Sequence, residues 1–60
     1  MNEFKFSLHQ KVQITVSGES GEIWARSEYA HAENTYLVHY KAADGRAVRA
    51  WWDESTLSEA

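Results

Sequence analysis

The chain has 60 residues, of which 43% are hydrophobic and 13% aromatic, and its net charge at pH 7 is −3. A chain of this length forms one domain and has no room for a separate cofactor domain. Its hydrophobic content excludes a disordered segment, and the absence of cysteine excludes a disulfide framework. We therefore expect a single domain over residues 1–60, frayed at 1–6 and 58–60, that is stabilised by close packing or self-association.

The longest apolar runs are two or three residues, such as 36–38, so no segment is long enough to cross a membrane. The first residues lack the apolar stretch of a secretory signal. We therefore expect a cytoplasmic protein without a membrane partner.

No motif for catalysis or cofactor binding is present. Gly18 and Gly21 do not have the spacing of a dinucleotide-binding turn, a phosphate-binding loop or a nucleophile elbow. His31 and His39 have no carboxylate or thiol at metal-ligand spacing. The sequence thus predicts no catalytic residue, no metal site and no cofactor.

Alternation of polar and apolar residues predicts the first two strands. Residues 11–16 alternate polar and β-branched side chains, and residues 22–26 follow after a glycine-rich break. Simple alternation in the second strand places Ile23 and Ala25 on one face and Trp24 on the other.

The third and fourth strands, 35–41 and 46–52, form a hairpin around Asp44 and Gly45. A two-residue loop would mix charged and bulky side chains on both faces. A three-residue loop, 43–45, with Gly45 in the left-handed conformation separates them, and we therefore predict this register. The predicted pairs are Tyr36 with Trp52, Val38 with Ala50 and Tyr40 with Val48 on the apolar face, and Leu37 with Trp51, His39 with Arg49 and Lys41 with Ala47 on the opposite face.

The remaining segments are a polar stretch and a short C-terminal turn. Residues 27–34 predict a loop or one helical turn. Residues 53–57 predict a helical turn that Asp53 caps through backbone N–H groups, with Leu57 packing back onto the sheet. The elements together predict an all-β fold, a small SH3-like barrel of four to five short antiparallel strands with one helical turn near the C-terminus.

Turn glycines and core positions recur along nearly the whole chain. They are Phe6, Lys11-Val12, Ser17-Gly18, Gly21-x-Ile23, Tyr36-x-Val38, Gly45, Trp52 and Leu57. This pattern resembles the plasmid-encoded type II, trimethoprim-resistant dihydrofolate reductases, and its size also resembles short SH3-like proteins of bacterial and phage genomes.

The resemblance to the reductases implies a tetramer of SH3-like barrels around one pore. In that family the pore is lined by a Val-Gln-Ile-Tyr stretch and assisted by a lysine of the first strand. The corresponding residues here are Arg49, Ala50, Trp51 and Trp52, and the lysine position falls near Thr15. The resemblance therefore extends to the fold without the active-site motif.

The predicted register places an aromatic and basic set of side chains on the outer face of the sheet, where exposed apolar area typically marks an interface. Trp52, Tyr36 and Tyr40 are assigned to the core, with their polar tips in water. An alternative is that loop 27–34 folds over Trp24 or Trp51. The candidate binding residues are Trp51, Trp24, Leu37, Arg49, His39 and Lys41.

These features favour a non-catalytic binding module that contacts another protein or a second copy of itself. The hairpin 36–52 is basic, whereas 17–35 and the tail from Asp53 are acidic, so two copies are complementary in charge. Two alternatives stay open. One is a tetrameric reductase of the type II kind or its inactive relative, and the other is a nucleic-acid-binding module, which the net negative charge disfavours.

Overall fold

The computed structural model describes residues 3–60, and residues 1 and 2 of the segment for which we expect fraying lie outside the described residues. This part of the chain forms five antiparallel strands and one 3₁₀ turn, which confirms the all-β class. No helix in it is long and apolar enough to span a membrane. The elements are β1 (Lys11–Ile14), β2 (Ser20–Ser27), β3 (Thr35–Lys41), β4 (Ala47–Asp53), the 3₁₀ turn (Glu54–Thr56) and β5 (Leu57–Glu59).

The strands form one sheet in the order β4-β3-β2-β1-β5. The first four strands pair with their neighbours in sequence, and β5 returns to pair with β1. The three-residue 3₁₀ turn alone connects β4 at one edge to β5 at the other. Because so short a connection cannot span a flat sheet of five strands, the sheet curls around its apolar face.

The hairpin between β3 and β4 has the predicted register, with all six predicted pairs observed. Its three-residue loop is closed by a hydrogen bond from the Ala42 N–H to the Arg46 carbonyl oxygen (2.8 Å). Gly45 has a φ of +89°, a conformation that costs a residue with a side chain about 1 kcal/mol or more. The separation of polar and apolar faces was therefore sufficient to predict this hairpin.

The second strand departs from simple alternation at Trp24. Ile23 pairs with Val38, but Ala25 pairs with Leu37, so Trp24 is an extra residue in a β-bulge. Ala25 consequently lies on the outer face with Leu37. The prediction that it shares a face with Ile23 was wrong, since simple alternation makes no provision for an inserted residue.

The core is formed by the inward side chains of the sheet together with Phe6. Phe6 is 1% exposed and packs edge-on against Tyr36, with ring centroids 5.3 Å apart. Leu57 is buried as predicted. The prediction that the polar tips of Tyr36 and Trp52 lie in water was wrong. The Tyr36 hydroxyl donates a hydrogen bond to Glu54, and the Trp52 Nε1 is buried without a partner among the described residues. The buried apolar residues are Phe6, Val12, Ile14, Ile23, Tyr36, Val38 and Leu57.

The 3₁₀ turn lies where the helical turn was predicted, but its capping group is different. Asp53 makes no side-chain capping hydrogen bond. Instead, the Ser55 N–H donates to Glu33 Oε1 (2.7 Å) and the Ser55 hydroxyl to Glu33 Oε2 (3.1 Å). The predicted Asp53 cap was therefore wrong, because a loop carboxylate distant in sequence occupies that role.

Candidate binding site on the outer sheet face

The alternation of β3 and β4 turns one set of side chains away from the core. Tyr36 and Val38 are fully buried, so their neighbours along β3 face outward. The register adds the residues of β4 that lie opposite them, and the bulge adds Trp24 from β2. The structure thus places all six predicted site residues on one face, which we call the outer face: Trp24, Leu37, His39, Lys41, Arg49 and Trp51.

The two tryptophans of the outer face are open to solvent. Trp24 is 46% exposed and Trp51 is 53% exposed. Residues 28–34 form an irregular loop, and the exposure of both tryptophans shows that the alternative of a second core beneath it was wrong. Leu37 pairs with Trp51 on one side and with Ala25 on the other, which makes the centre of this face apolar.

Trp24 and His39 form a stack at the centre of the outer face. Their ring centroids are 4.2 Å apart and their planes differ by 9°. The Arg49 guanidinium lies 5.9 Å from the Trp24 ring centroid, within the range of a cation–π contact. The β-bulge creates this stack, because it inserts Trp24 into β2 beside the strand that carries His39.

A polar cluster borders the stack on the side of β1. Glu22, which pairs with His39, lies 2.9 Å from His9 Nδ1 and 3.5 Å from Lys11 Nζ. The hydrogen bond from His9 lowers the pKa of Glu22, and the charge of Lys11 adds to this effect. Glu22 is therefore an anion that is already paired, whereas Lys41 and Arg49 make no ion pair within the described residues.

A groove of about 450 Å³ lies beside this cluster, between the side chains of Lys11 and Lys41. Gly21 forms part of its wall. A Cβ atom on Gly21 would lie 2.5 Å from the His39 carbonyl oxygen and 2.7 Å from Val38 Cγ1, so β2 and β3 approach each other closely only because this residue is glycine. The groove extends the outer face toward the basic hairpin.

A second, acidic cavity of about 810 Å³ is lined by the loop 30–34, Glu3 and Glu54. Glu54 Oε1 accepts hydrogen bonds from the Tyr36 hydroxyl, the Lys5 N–H (3.1 Å) and Asn34 Nδ2 (3.4 Å). Partial burial raises the pKa of Glu54, but these hydrogen bonds outweigh it and the net pKa is lowered. Burial and the hydrogen bond to Glu54 raise the pKa of Tyr36.

Sequence reasoning missed this hydrogen-bond network. Its members are 18 to 49 residues apart in the chain, and only the folded sheet brings them together. The sequence around Glu54 does not indicate the network, since a carboxylate in the first turn of a helical segment is common without any such partners. Within residues 3–60, no group of three or more histidine, aspartate or glutamate side chains is arranged to hold a metal ion.

No known protein family matches this chain, and no curated protein is detectably similar to it in sequence. Sequence comparison therefore supports neither the type II reductases nor any particular SH3-like family. The function is therefore inferred from the geometry of the outer face.

Proposed function

We propose that this protein is a small, non-catalytic binding module that contacts an acidic segment of another protein through its outer face. The observation that supports the proposal is the exposure of Trp24 and Trp51 on the same face of one sheet. Exposed apolar area gathered in one place marks interaction surfaces more often than scattered exposed residues do.

The composition of the outer face fits an interface centre. Tryptophan and arginine are the residue types most enriched among those that dominate binding energy. Trp51 and Arg49 are carried by the same strand, and Trp24 is held by its stack on His39. Because these side chains project from strands, they are more rigidly placed than they would be on a loop, and less side-chain entropy is lost on binding.

Charge decides the kind of partner. The cations Lys41 and Arg49 form no ion pair in the part of the chain that the structure describes, whereas the anion Glu22 is held by His9 and Lys11. A partner segment with carboxylates flanking an apolar residue would place the apolar group between Leu37 and Trp51 and its charges beside these cations.

The proposed fold is the SH3-like barrel. The strand order β4-β3-β2-β1-β5 and the 3₁₀ turn between the last two strands support it.

The alternative from the enzyme class is a type II reductase or its inactive relative. Among the positions matching that family's pore stretch, Ala50 has no hydrogen-bonding side chain and lies on the inner face opposite Val38.

Single-stranded nucleic acid is the second candidate ligand. The stacked Trp24 and His39 beside Arg49 favour it, because bases stack on aromatic rings while cations contact the phosphates. The net charge of −3 disfavours it.

The test is a titration of the protein with three probes, in which tryptophan fluorescence and amide chemical shifts report binding. The probes are an acidic peptide with a central leucine, the same peptide with lysine in place of each acid, and a thymidine oligonucleotide. We expect the acidic peptide to bind and to shift the amides of Leu37, His39 and Trp51. Trp51→Ala should weaken binding about tenfold or more. The matched control is Leu8→Ala, which removes an apolar side chain 48% exposed outside the sheet and should leave binding unchanged.

Other outcomes decide between the alternatives. Binding of the oligonucleotide alone, with an affinity that falls as salt is added, would replace the proposal with the nucleic-acid function. Oxidation of NADPH in the presence of dihydrofolate would establish the reductase. Binding of neither peptide, or equal binding of both, contradicts the proposed acidic partner.

A further inference from the structure

Two hydrogen bonds show which residues of the edge strand β4 point their backbone N–H and C=O groups toward β3. The Ala42 N–H donates to the Arg46 carbonyl oxygen (2.8 Å) at one end of the hairpin, and the Glu54 N–H donates to the Asn34 carbonyl oxygen (2.9 Å) at the other. In an antiparallel ladder, residues that bond to the neighbour alternate with residues whose N–H and C=O groups point away. The even-numbered residues of β4 therefore bond to β3.

The odd-numbered residues of β4 turn their backbone polar groups to the open edge of the sheet. These are Ala47, Arg49, Trp51 and Asp53, and no strand among the described residues lies on the other side of β4. The strand contains neither a proline nor a register shift, which are two of the devices that protect natural edges from pairing. The bulge of this sheet lies in β2 instead.

The same odd-numbered residues project their side chains on the outer face, and two of them carry unpaired charges. In the described part of the chain Arg49 forms no ion pair, and its guanidinium lies 5.9 Å from the Trp24 ring centroid. The Asp53 carboxylate accepts no hydrogen bond at the start of the 3₁₀ turn. Within residues 3–60, neither charge has a partner of opposite sign.

We infer that β4 pairs antiparallel with β4 of a second copy of this chain, with Trp51 opposite Trp51 at the two-fold axis and Arg49 opposite Asp53 on either side. Of the registers about an axis through or between the odd positions, three bring at least three pairs of open-edge residues together. One places Arg49 opposite Arg49, which is repulsive, and another places Arg49 opposite Trp51 and Asp53 opposite Ala47. The inferred register alone gives both charged residues a partner of opposite sign.

The pairing joins two five-stranded sheets into one and places the two outer faces side by side. It forms up to about six backbone hydrogen bonds, two ion pairs and one tryptophan pair. The contact is shorter than the strand, because the 3₁₀ turn begins after Asp53. An interface of this extent falls below about 1,200 Å², so the dimer is weak and its population depends on concentration.

The experiment exchanges the charges of Arg49 and Asp53. The dimerisation of each variant is measured by sedimentation equilibrium from about 10 µM to 1 mM. We expect the wild type to dimerise. Arg49→Asp and Asp53→Arg should each weaken the dimer about tenfold, since each places like charges opposite each other, and the double variant should restore it. Arg46→Asp, which makes the same charge change in the turn outside β4, is the matched control and should dimerise as the wild type does.

Hydrogen exchange of individual amides tests the register. Above the dimerisation concentration, the amides of Arg49, Trp51 and Asp53 should become slow, while Ala47, which lies beyond the paired segment, should stay fast. A wild type that stays monomeric at 1 mM overturns the inference, as does a dimer that both single variants leave intact. Slow exchange at Ala47 overturns the register.

This inference goes beyond the proposed function and fails separately from it. Dimerisation is measured on the purified chain without any peptide, and peptide binding can be measured at concentrations where the chain is monomeric. Lys41, which lies on β3 opposite Ala47 and outside the paired segment, provides a further separation, because Lys41→Ala should weaken binding of the acidic peptide and leave the dimer unchanged.

Discussion

The indole ring of Trp24 lies flat against the imidazole ring of His39, with centroids 4.2 Å apart and planes 9° apart. In a regular strand a tryptophan at this position would face its own register partner on β3. The bulge leaves Trp24 without such a partner and sets it beside His39 instead. Trp24 is nevertheless 46% exposed, so the stack fixes the orientation of a side chain that is open to a ligand.

The stack should be measurable as a coupling energy. In a double-mutant cycle of Trp24→Ala and His39→Ala, we expect an interaction of about 0.5–1 kcal/mol, which is typical of paired rings near a surface. Urea unfolding of the four proteins supplies the free energies. The control cycle replaces Trp24→Ala with Val16→Ala, a change at a turn residue 76% exposed, and should show additive effects. An equal coupling in both cycles would contradict a specific contact.

The acid limb of stability should depend on Glu54. Its pKa is lowered in the folded protein, since hydrogen bonds from Tyr36, Lys5 and Asn34 outweigh the opposing effect of burial. A carboxylate with a lowered pKa stabilises the fold above its ordinary pKa of about 4.3, and this contribution is lost as the pH falls through the folded value. Glu54→Gln should therefore lower stability at pH 7 and flatten its decline between about pH 5 and pH 3.

The control for Glu54 is Glu28→Gln, which removes a loop carboxylate that makes no hydrogen bond within residues 3–60. Thermal melts across this pH range measure both variants against the wild type. If the two variants retain the same acid dependence as the wild type, Glu54 is not the group that titrates.

The hairpin and the outward direction of Trp24 and Trp51 were predictable from sequence, whereas the exposure of these two side chains and the bulge were not. A shift of one residue in the hairpin moves every side chain to the other face, so the pattern of residues 36–52 selects one register strongly. At Ile23, Trp24 and Ala25 the pattern is as compatible with regular alternation as with a bulge. The choice is made by packing against β3, which the sequence of β2 alone does not contain.

Long-range polar contacts were equally inaccessible. Glu33 caps the 3₁₀ turn from 22 residues away, and Asn34 is buried beside Glu54 because the chain returns there after two strands. Local propensity favours Asp53 as the cap, since aspartate before a helical turn is typical of that position. A contact that depends on the whole sheet overrides this preference.

Gly21 and Gly18 should respond very differently to a methyl group. A Cβ on Gly21 would meet the His39 carbonyl oxygen at 2.5 Å, so β2 and β3 would have to separate. We expect Gly21→Ala to destabilise the fold by roughly 2–4 kcal/mol, which approaches the total stability of a domain this small.

Gly18→Ala is the matched control, because nothing lies within 4 Å of its Cβ position and only the φ of +76° disfavours a side chain. Its expected cost is about 1 kcal/mol. Urea unfolding measures both. Equal costs at the two positions would show that the strands adjust to the methyl group without penalty.

The alkaline limb of stability should depend on Tyr36 and Tyr29 with opposite signs. Burial, and then the hydrogen bond to Glu54, raises the pKa of Tyr36, so its contribution is complete below about pH 10 and is lost as the pH rises through the folded value. Hydrogen bonds to Ser27 and then Thr35 lower the pKa of Tyr29, so its contribution appears as the pH rises toward the ordinary value.

Thermal melts of Tyr36→Phe and Tyr29→Phe between about pH 8 and pH 11 separate the two effects. Tyr36→Phe should cost about 1–3 kcal/mol at pH 7, because the Lys5 N–H loses its 3.0 Å acceptor and Glu54 loses a donor in a partly buried site. The difference in stability between Tyr36→Phe and the wild type should then become smaller as the pH rises. Tyr29→Phe should change the stability little at pH 7, and its deficit in stability against the wild type should grow as the pH rises. If the Tyr36→Phe deficit grows as the pH rises, the Tyr36 hydroxyl is not held protonated by the fold. If the Tyr29→Phe deficit narrows, the fold does not lower the pKa of Tyr29.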